Sequence, residues 1–173
     1  MLSRLVQDAR QRARNAIRQV RERFGGESLA ARLQAAADLH RAGDLARARA
    51  AYLGILETDP ANADALNLLG LMAEQQGKHD QALSYALQAI AQNPGISHYH
   101  LNCGLAYMAQ GYAAQAIDCY VRAVQLDPQD ARTHSILLFA LTFAEGLSPQ
   151  DILGRAPALA GPPRKFSRSG AHQ

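Results

Sequence analysis

A period of 34 residues constrains this chain more than any other feature. Gly43, Gly77 and Gly111 are spaced by it, and so are Pro60, Pro94 and Pro128, and Ala48, Ala82 and Ala116. At average Gly and Pro usage, matching two further Gly and two further Pro by accident has a chance of about 10⁻⁵. A repeat of this length is one supersecondary unit that cannot bury both of its faces alone, so the units must stack on one another. That excludes a single core wrapped around one centre.

Within each period the apolar and small residues fall at helical spacing. One stripe runs through Ala35, Ala36 and Leu39, then Leu69, Gly70 and Ala73, then Cys103, Gly104 and Tyr107. A second runs through Ala48, Tyr52 and Ile55, then Ala82, Ala86 and Ala89, then Ala116, Tyr120 and Ala123. The spacing predicts two helices per unit, with small residues admitting close approach and Tyr or Leu filling the gaps. The periodic Gly is expected at the turn between the two helices, where a left-handed backbone is cheap. The periodic Pro, which has no N–H to donate, is expected in the first turn of the next helix.

Small-Leu-Gly in one helix, a Gly turn, Ala followed by an aromatic in the next, and a closing Asp-Pro or Asn-Pro together resemble tetratricopeptide repeats. The resemblance covers residues 29–62, 63–96 and 97–130, and Leu137, Leu138 and Leu141 continue the phase into a closing helix over 131–145. It implies an all-α helix-turn-helix solenoid of three repeats plus a closing helix, a repeat domain over 27–146, whose first helices line a concave groove. Placed on that pattern, the groove residues are Asp64, Asn67, Leu71 and Glu74, then His98, Leu101, Asn102, Leu105 and Met108, then Arg132 and Phe139. Leu71, Leu105 and Phe139 are 34 apart, an apolar stripe beside polar groups that suits a peptide. The competing occupant is the chain's own N-terminal helix or tail. The family's clamp for acidic C-terminal peptides uses Lys and Arg, and of these only Arg132 is present. The expected ligand is therefore a segment with apolar anchors and some positive charge, facing Asp64 and Glu74.

His134 to Leu141, followed by Leu147-Ser-Pro-Gln-Asp-Ile-Leu153, resembles the junction in bacterial O-GlcNAc-transferase-like (SPINDLY-type) proteins where repeats meet a glycosyltransferase domain. Asn102 stands where that family uses Asn to hold peptide backbone, while Asn67 is one position off. Only 20 residues follow Leu153, so no catalytic residue carries over. Ser148-Pro149-Gln150-Asp151 also reads as a helix start. Gly154 to Gln173 has Pro, Gly and four positive charges with little apolar periodicity, and is expected to be a disordered basic tail; one reading of it is the remnant of a truncated or frame-shifted longer protein. Residues 147–173 are thus a short helix and a tail.

Charge is unevenly spread. Residues 1–24 carry seven Arg against Asp8 and Glu22, and residues 154–173 carry Arg155, Arg164, Lys165 and Arg168 with no acid. Of the net +3, the ends therefore hold +5 and +4 and the middle holds −6. The basic balance lies outside the repeats, and no nucleic-acid partner is expected for them. Leu2, Leu5, Val6, Ala9, Ala13, Ala16, Ile17, Val20 and Phe24 place one apolar face on a basic amphipathic helix over 1–26. Three uses are open to it: packing on the first repeat, weak contact with an acidic membrane through residues 2–24, or a polybasic or leader-like role. Met1 to Gln11 lacks an apolar signal core, and a cytoplasmic location is expected.

Chemistry-bearing patterns are sparse. Gly70, Gly77 and Lys78 have the wrong spacing for a phosphate loop, with His79 where Ser or Thr would hold a metal. His98 and His100 are two apart and point to different helix faces, unlike metal ligands. Cys103 and Cys119, on the two helices of one unit, read as buried free thiols. No enzyme, cofactor or metal site is expected. The functional expectation is a non-catalytic protein-interaction module and scaffold with a protein or peptide partner. The alternatives are the substrate-recruiting part of a protein O-linked glycosyltransferase and a membrane-surface scaffold.

Overall fold

The computed structural model describes residues 28–143, together with Gln7, Gln11, Arg12, Arg14, Asn15 and residues 17–19. The remainder of the expected helix over 1–26, the end of the closing helix, the short helix after Leu147 and the tail lie outside the described residues. Within residues 28–143, seven helices follow in order: α1 (Leu29–Arg41), α2 (Leu45–Thr58), α3 (Ala63–Gln75), α4 (His79–Gln92), α5 (Ser97–Ala109), α6 (Ala113–Leu126) and α7 (Ala131–Phe143). Helices α1 with α2, α3 with α4 and α5 with α6 form hairpins, each packed on the next, and α7 lies against α6. None of these helices is long and apolar enough to cross a membrane.

Local chemistry sets the boundaries. Side chains of Ser28, Asp44 and Asn62 accept the N–H of Ala31, Arg47 and Ala65, capping α1, α2 and α3. Ahead of α7, Asp130 accepts the Arg132 N–H and the Thr133 hydroxyl, and these bonds, led by Thr133, hold its carboxyl below the usual range. Gly43, Gly77 and Gly111 have φ of 79°, 69° and 82°. In each case the following residue donates its N–H to the carbonyl five positions back, Asp44 to Leu39, Lys78 to Ala73 and Tyr112 to Tyr107. The left-handed glycine thus closes a helix end and reverses the chain.

The prolines differ from expectation. Pro60, Pro94 and Pro128 sit in the turns between units, three residues before the next helix, rather than inside its first turn. There the carbonyl of Pro94 accepts from His100 Nε2 at 2.9 Å, and that of Pro128 from His134 Nε2 at 3.1 Å. A histidine about one turn into the following helix therefore ties the loop to the helix it precedes.

The core runs along the stack. Ala36, Ala48, Tyr52, Ile55, Leu69 and Met72 join the first two hairpins, and Leu101, Ile117, Tyr120, Val124 and Leu137 join the last hairpin to α7. Each large side chain fully withdrawn from water contributes about 1.5–3 kcal/mol. Burial, opposed by Arg41, pushes the Tyr52 phenol up to about 12, and among the described residues its buried hydroxyl has no hydrogen-bond partner. Helices approach most closely at glycine. A Cβ on Gly104 would lie 2.3 Å from Tyr120 Cε1, and one on Gly70 3.3 Å from the Ala82 carbonyl oxygen. On the outer side, a Cβ on Gly54 would meet Ile17 Cγ2 at 3.7 Å, so Ile17 rests on α2.

Successive units are joined by hydrogen bonds at a separation of 35, one residue more than the repeat. His40 Nε2 pairs with Gln75 Oε1 at 2.8 Å, Tyr99 donates its hydroxyl to Asp64 Oδ1 at 2.5 Å, and Asn102 Nδ2 donates to Asn67 Oδ1 at 2.8 Å.

Candidate functional site

Helices α1, α3 and α5 are neighbours along the inner side of the stack. Between them opens a groove of about 720 Å³, completed by Arg132 at the start of α7. Its lining falls in columns 34 residues apart: Ala30, Asp64, His98 and Arg132; Leu33, Asn67 and Leu101; Gln34, Leu68 and Asn102; Ala37, Leu71 and Leu105. Gln75 adds a polar edge. The columns exist because helices with the same phase in the repeat present the same face to the same side.

Eight of the eleven groove residues read from the sequence line this surface: Asp64, Asn67, Leu71, His98, Leu101, Asn102, Leu105 and Arg132. Leu101 does so with only its edge, being 6% exposed and packed in the core with Ile117 and Leu137. Glu74, Met108 and Phe139 are not among the lining residues. The Glu74 carboxylate is drawn to His79 Nδ1 at 3.0 Å, across the turn of its own hairpin. Met108 packs partly buried against the cluster around Tyr120, and Phe139 stands 64% exposed on α7. The sequence pattern did not single out the first unit's share, Ala30, Leu33, Gln34 and Ala37, although Ala30, Leu33 and Ala37 lie one period before Asp64, Asn67 and Leu71, and Gln34 lies two periods before Asn102.

The polar groups of the groove are held in defined states. Tyr99 fixes the Asp64 carboxylate, and the contact, together with burial as the larger cause, raises the Tyr99 phenol well above its ordinary value. His98 lies edge-on to Tyr99 with ring centroids 4.6 Å apart. Burial lowers its imidazole below the ordinary value and Asp64 opposes the shift, so His98 is neutral near pH 7. Asn67 is almost wholly buried, with its amide oxygen taken by Asn102. Asn102 is half-buried and spends one N–H on that bond; among the described residues its amide oxygen and second N–H have no protein partner. With Glu74 removed to the hairpin turn, the negative charge of the groove reduces to Asp64, opposed by Arg132 at the far end. Among the described residues no three His, Cys, Asp or Glu side chains gather as metal ligands would. The arrangement offers apolar seats at Leu33, Leu68, Leu71 and Leu105 beside an amide that can both donate and accept.

Comparison with known proteins agrees with the architecture. Residues 33–95 match a family model described as a tetratricopeptide repeat, and residues 104–137 match a second one described as a TPR repeat. The probable UDP-N-acetylglucosamine–peptide N-acetylglucosaminyltransferase SPINDLY of Hordeum vulgare is 29% identical over 91 residues, 53% of this chain and 10% of its own length. A mutant of the Thermobaculum terrenum O-GlcNAc transferase superposes with a TM-score of 0.65 at 28% identity, over 86% of this chain and 26% of that one. The first TPR of Spaghetti (RPAP3), solved bound to the HSP90 peptide SRMEEVD, superposes with a TM-score of 0.62 at 18% identity, over 65% of this chain and 90% of that one. The chain thus spans about a tenth of the curated relative and about a quarter of the bacterial transferase.

Proposed function

Because this chain belongs to the tetratricopeptide-repeat proteins, we propose that it is a non-catalytic interaction module that holds an extended peptide segment of a partner protein along its inner groove. The observation that carries the reading is the groove itself, where leucines alternate with a half-buried Asn102 whose amide keeps a donor and an acceptor for a peptide group. An extended peptide exposes one N–H and one C=O per residue, and an amide side chain satisfies both at once. The Spaghetti repeat domain, of the same fold, was solved with a peptide bound. The proposed ligand carries apolar anchors for Leu33, Leu68, Leu71 and Leu105. Any positive charge on it belongs near Asp64 rather than near Arg132.

In this reading residues 29–62, 63–96 and 97–130 are three repeats, α7 closes the stack, and the basic helix over 1–26 packs on the first repeat, as the seat of Ile17 on α2 supports. A second reading is favoured by the similarity to two transferases at 28–29% identity: the module presents protein substrates to a glycosyltransferase domain. The test is affinity purification from the source cell with wild-type protein beside Leu71→Glu and Leu105→Glu, read by mass spectrometry. A partner retained by the wild type and weakened more than about tenfold by each charge at the apolar seats is the expected result. Identical partner lists from all three proteins would refute the groove as the binding site. A transferase among the groove-dependent partners would select the second reading.

A further inference from the structure

The groove reading makes no use of the chain's two cysteines, which lie on the other side of α5. Cys103 on α5 and Cys119 on α6 are each eight residues from Gly111, the turn of their hairpin. In a helical hairpin, residues equidistant from the turn come face to face, and here the two sulfurs stand 3.5 Å apart. They lie beside the close contact of Gly104 with the Tyr120 ring. Neither thiol can therefore swing far from the other. Cys103 is fully buried, whereas Cys119 is only half-buried.

We propose that Cys103 and Cys119 form a reversible dithiol–disulfide modification site whose reactant is a low-molecular-weight disulfide, with Cys119 as the entry sulfur and Cys103 as the resolving sulfur. The Cys119 thiol loses its proton to solvent, and the thiolate attacks one sulfur of the reactant. A Cys119–reactant disulfide forms and one thiolate leaves. Cys103, deprotonated in turn, attacks the Cys119 sulfur, forming the Cys103–Cys119 bond and expelling the second thiolate. Two thiols are oxidised, one disulfide is reduced to two thiols, and the two protons released end on the two leaving groups. The sulfurs need to close from 3.5 Å to about 2.0 Å. The order of attack follows accessibility. It is also the order that the thiols favour, because the contact between the two sulfurs lowers the Cys119 thiol, while that contact and burial raise Cys103.

The test uses the purified full chain and its Cys103→Ser and Cys119→Ser variants with glutathione disulfide, read by intact mass, non-reducing peptide mapping and thermal unfolding. The wild type is expected to lose two hydrogens with no retained glutathionyl group, to yield one linked peptide pair, and to revert with dithiothreitol. Its unfolding midpoint is expected to rise by roughly 10 °C, because the closed loop constrains the unfolded chain. Cys103→Ser is expected to hold one glutathionyl group, and Cys119→Ser to remain unmodified. A wild-type chain that keeps both thiols, stops at the glutathionyl adduct, or links only to a second chain overturns the proposal. The wild-type mass and map decide this even where a serine variant fails to fold.

Discussion

Replacing Gly104 by Ala tests whether close helix approach, rather than helix propensity, governs the small positions of the stack. On an open helix the change gains about 1 kcal/mol, since Gly has more backbone freedom to lose. At Gly104 the new Cβ would stand 2.3 Å from Cε1, 2.6 Å from Cδ1 and 3.0 Å from Cζ of Tyr120. To regain ordinary contact the ring must retreat by about 1 Å, or the helices must part. Tyr120 is 1% exposed and packed on Ile117, Val124 and Leu137, so it has nowhere to go. Overpacking of this kind costs about 1–3 kcal/mol. A 2.3 Å approach belongs in the upper part of that range, about 2–3 kcal/mol, so after about 1 kcal/mol of propensity the net loss is about 1–2 kcal/mol, a fall in the midpoint of roughly 4–8 °C for a body of this size. Gly54→Ala is the matched control, because its Cβ would meet Ile17 at an ordinary 3.7 Å. There propensity prevails, and a rise of roughly 2–4 °C is expected. Urea unfolding of both variants with an unchanged m-value is the appropriate assay. A Gly104→Ala chain as stable as the wild type would refute the packing argument.

Gly77→Ala forces an L-residue to a φ of 69° and should destabilise by about 1–2 kcal/mol, whereas Gly95→Ala, whose Cβ would meet Asn93 Oδ1 at 3.5 Å without a positive φ, should be nearly neutral in the same urea assay. Asn67→Ala should cost about 1–3 kcal/mol because it removes the acceptor of Asn102, and a double-mutant cycle with Asn102→Ala should show strong coupling; additive losses would disprove the pairing. His98 has a lowered value in the folded chain, so the unfolded chain binds the extra proton first. Stability should therefore be full above the unfolded value of about 6.5 and fall as the pH drops through it toward the folded value. His98→Gln should remove that part of the acid sensitivity in thermal melts at pH 7.5 and pH 5, and an unchanged difference between the two melts would contradict the assignment.

The 34-residue period made the helices and most of the groove legible, because a helix phase repeated exactly places equivalent residues on one side of the stack. Ala30, Leu33, Gln34 and Ala37 were within reach of that same logic, but Ala30 and Ala37 carry no polar or bulky signal of their own. Leu101 and Asn67 share one phase of the repeat pattern, which places both in the groove, but both are nearly buried. Glu74 was lost to His79, a contact across a hairpin turn that no column at one period reveals. Asn67 stays one position off the phase of Asn102 at a period of 34, yet the two side chains meet because neighbouring units touch at a separation of 35. The meeting of Cys103 with Cys119 depended on a different symmetry, reflection about Gly111, which a search for repeats does not apply.

The 35-residue step also determines how the chain responds to editing by whole units. Excising residues 63–96 would remove one full period and preserve every contact inside the remaining hairpins, yet it would connect α2 to α5 and set α1 directly against α5. His40 would then face Ala109 in place of Gln75, Tyr99 would face Ala30 in place of Asp64, and Asn102 would face Leu33 in place of Asn67. All three junction hydrogen bonds would vanish together, leaving an imidazole, a phenol and an amide without partners at a new seam. Order along this chain is therefore written in the seams and not in the hairpins, so a shuffled or shortened version needs its junction residues rewritten before its units will stack.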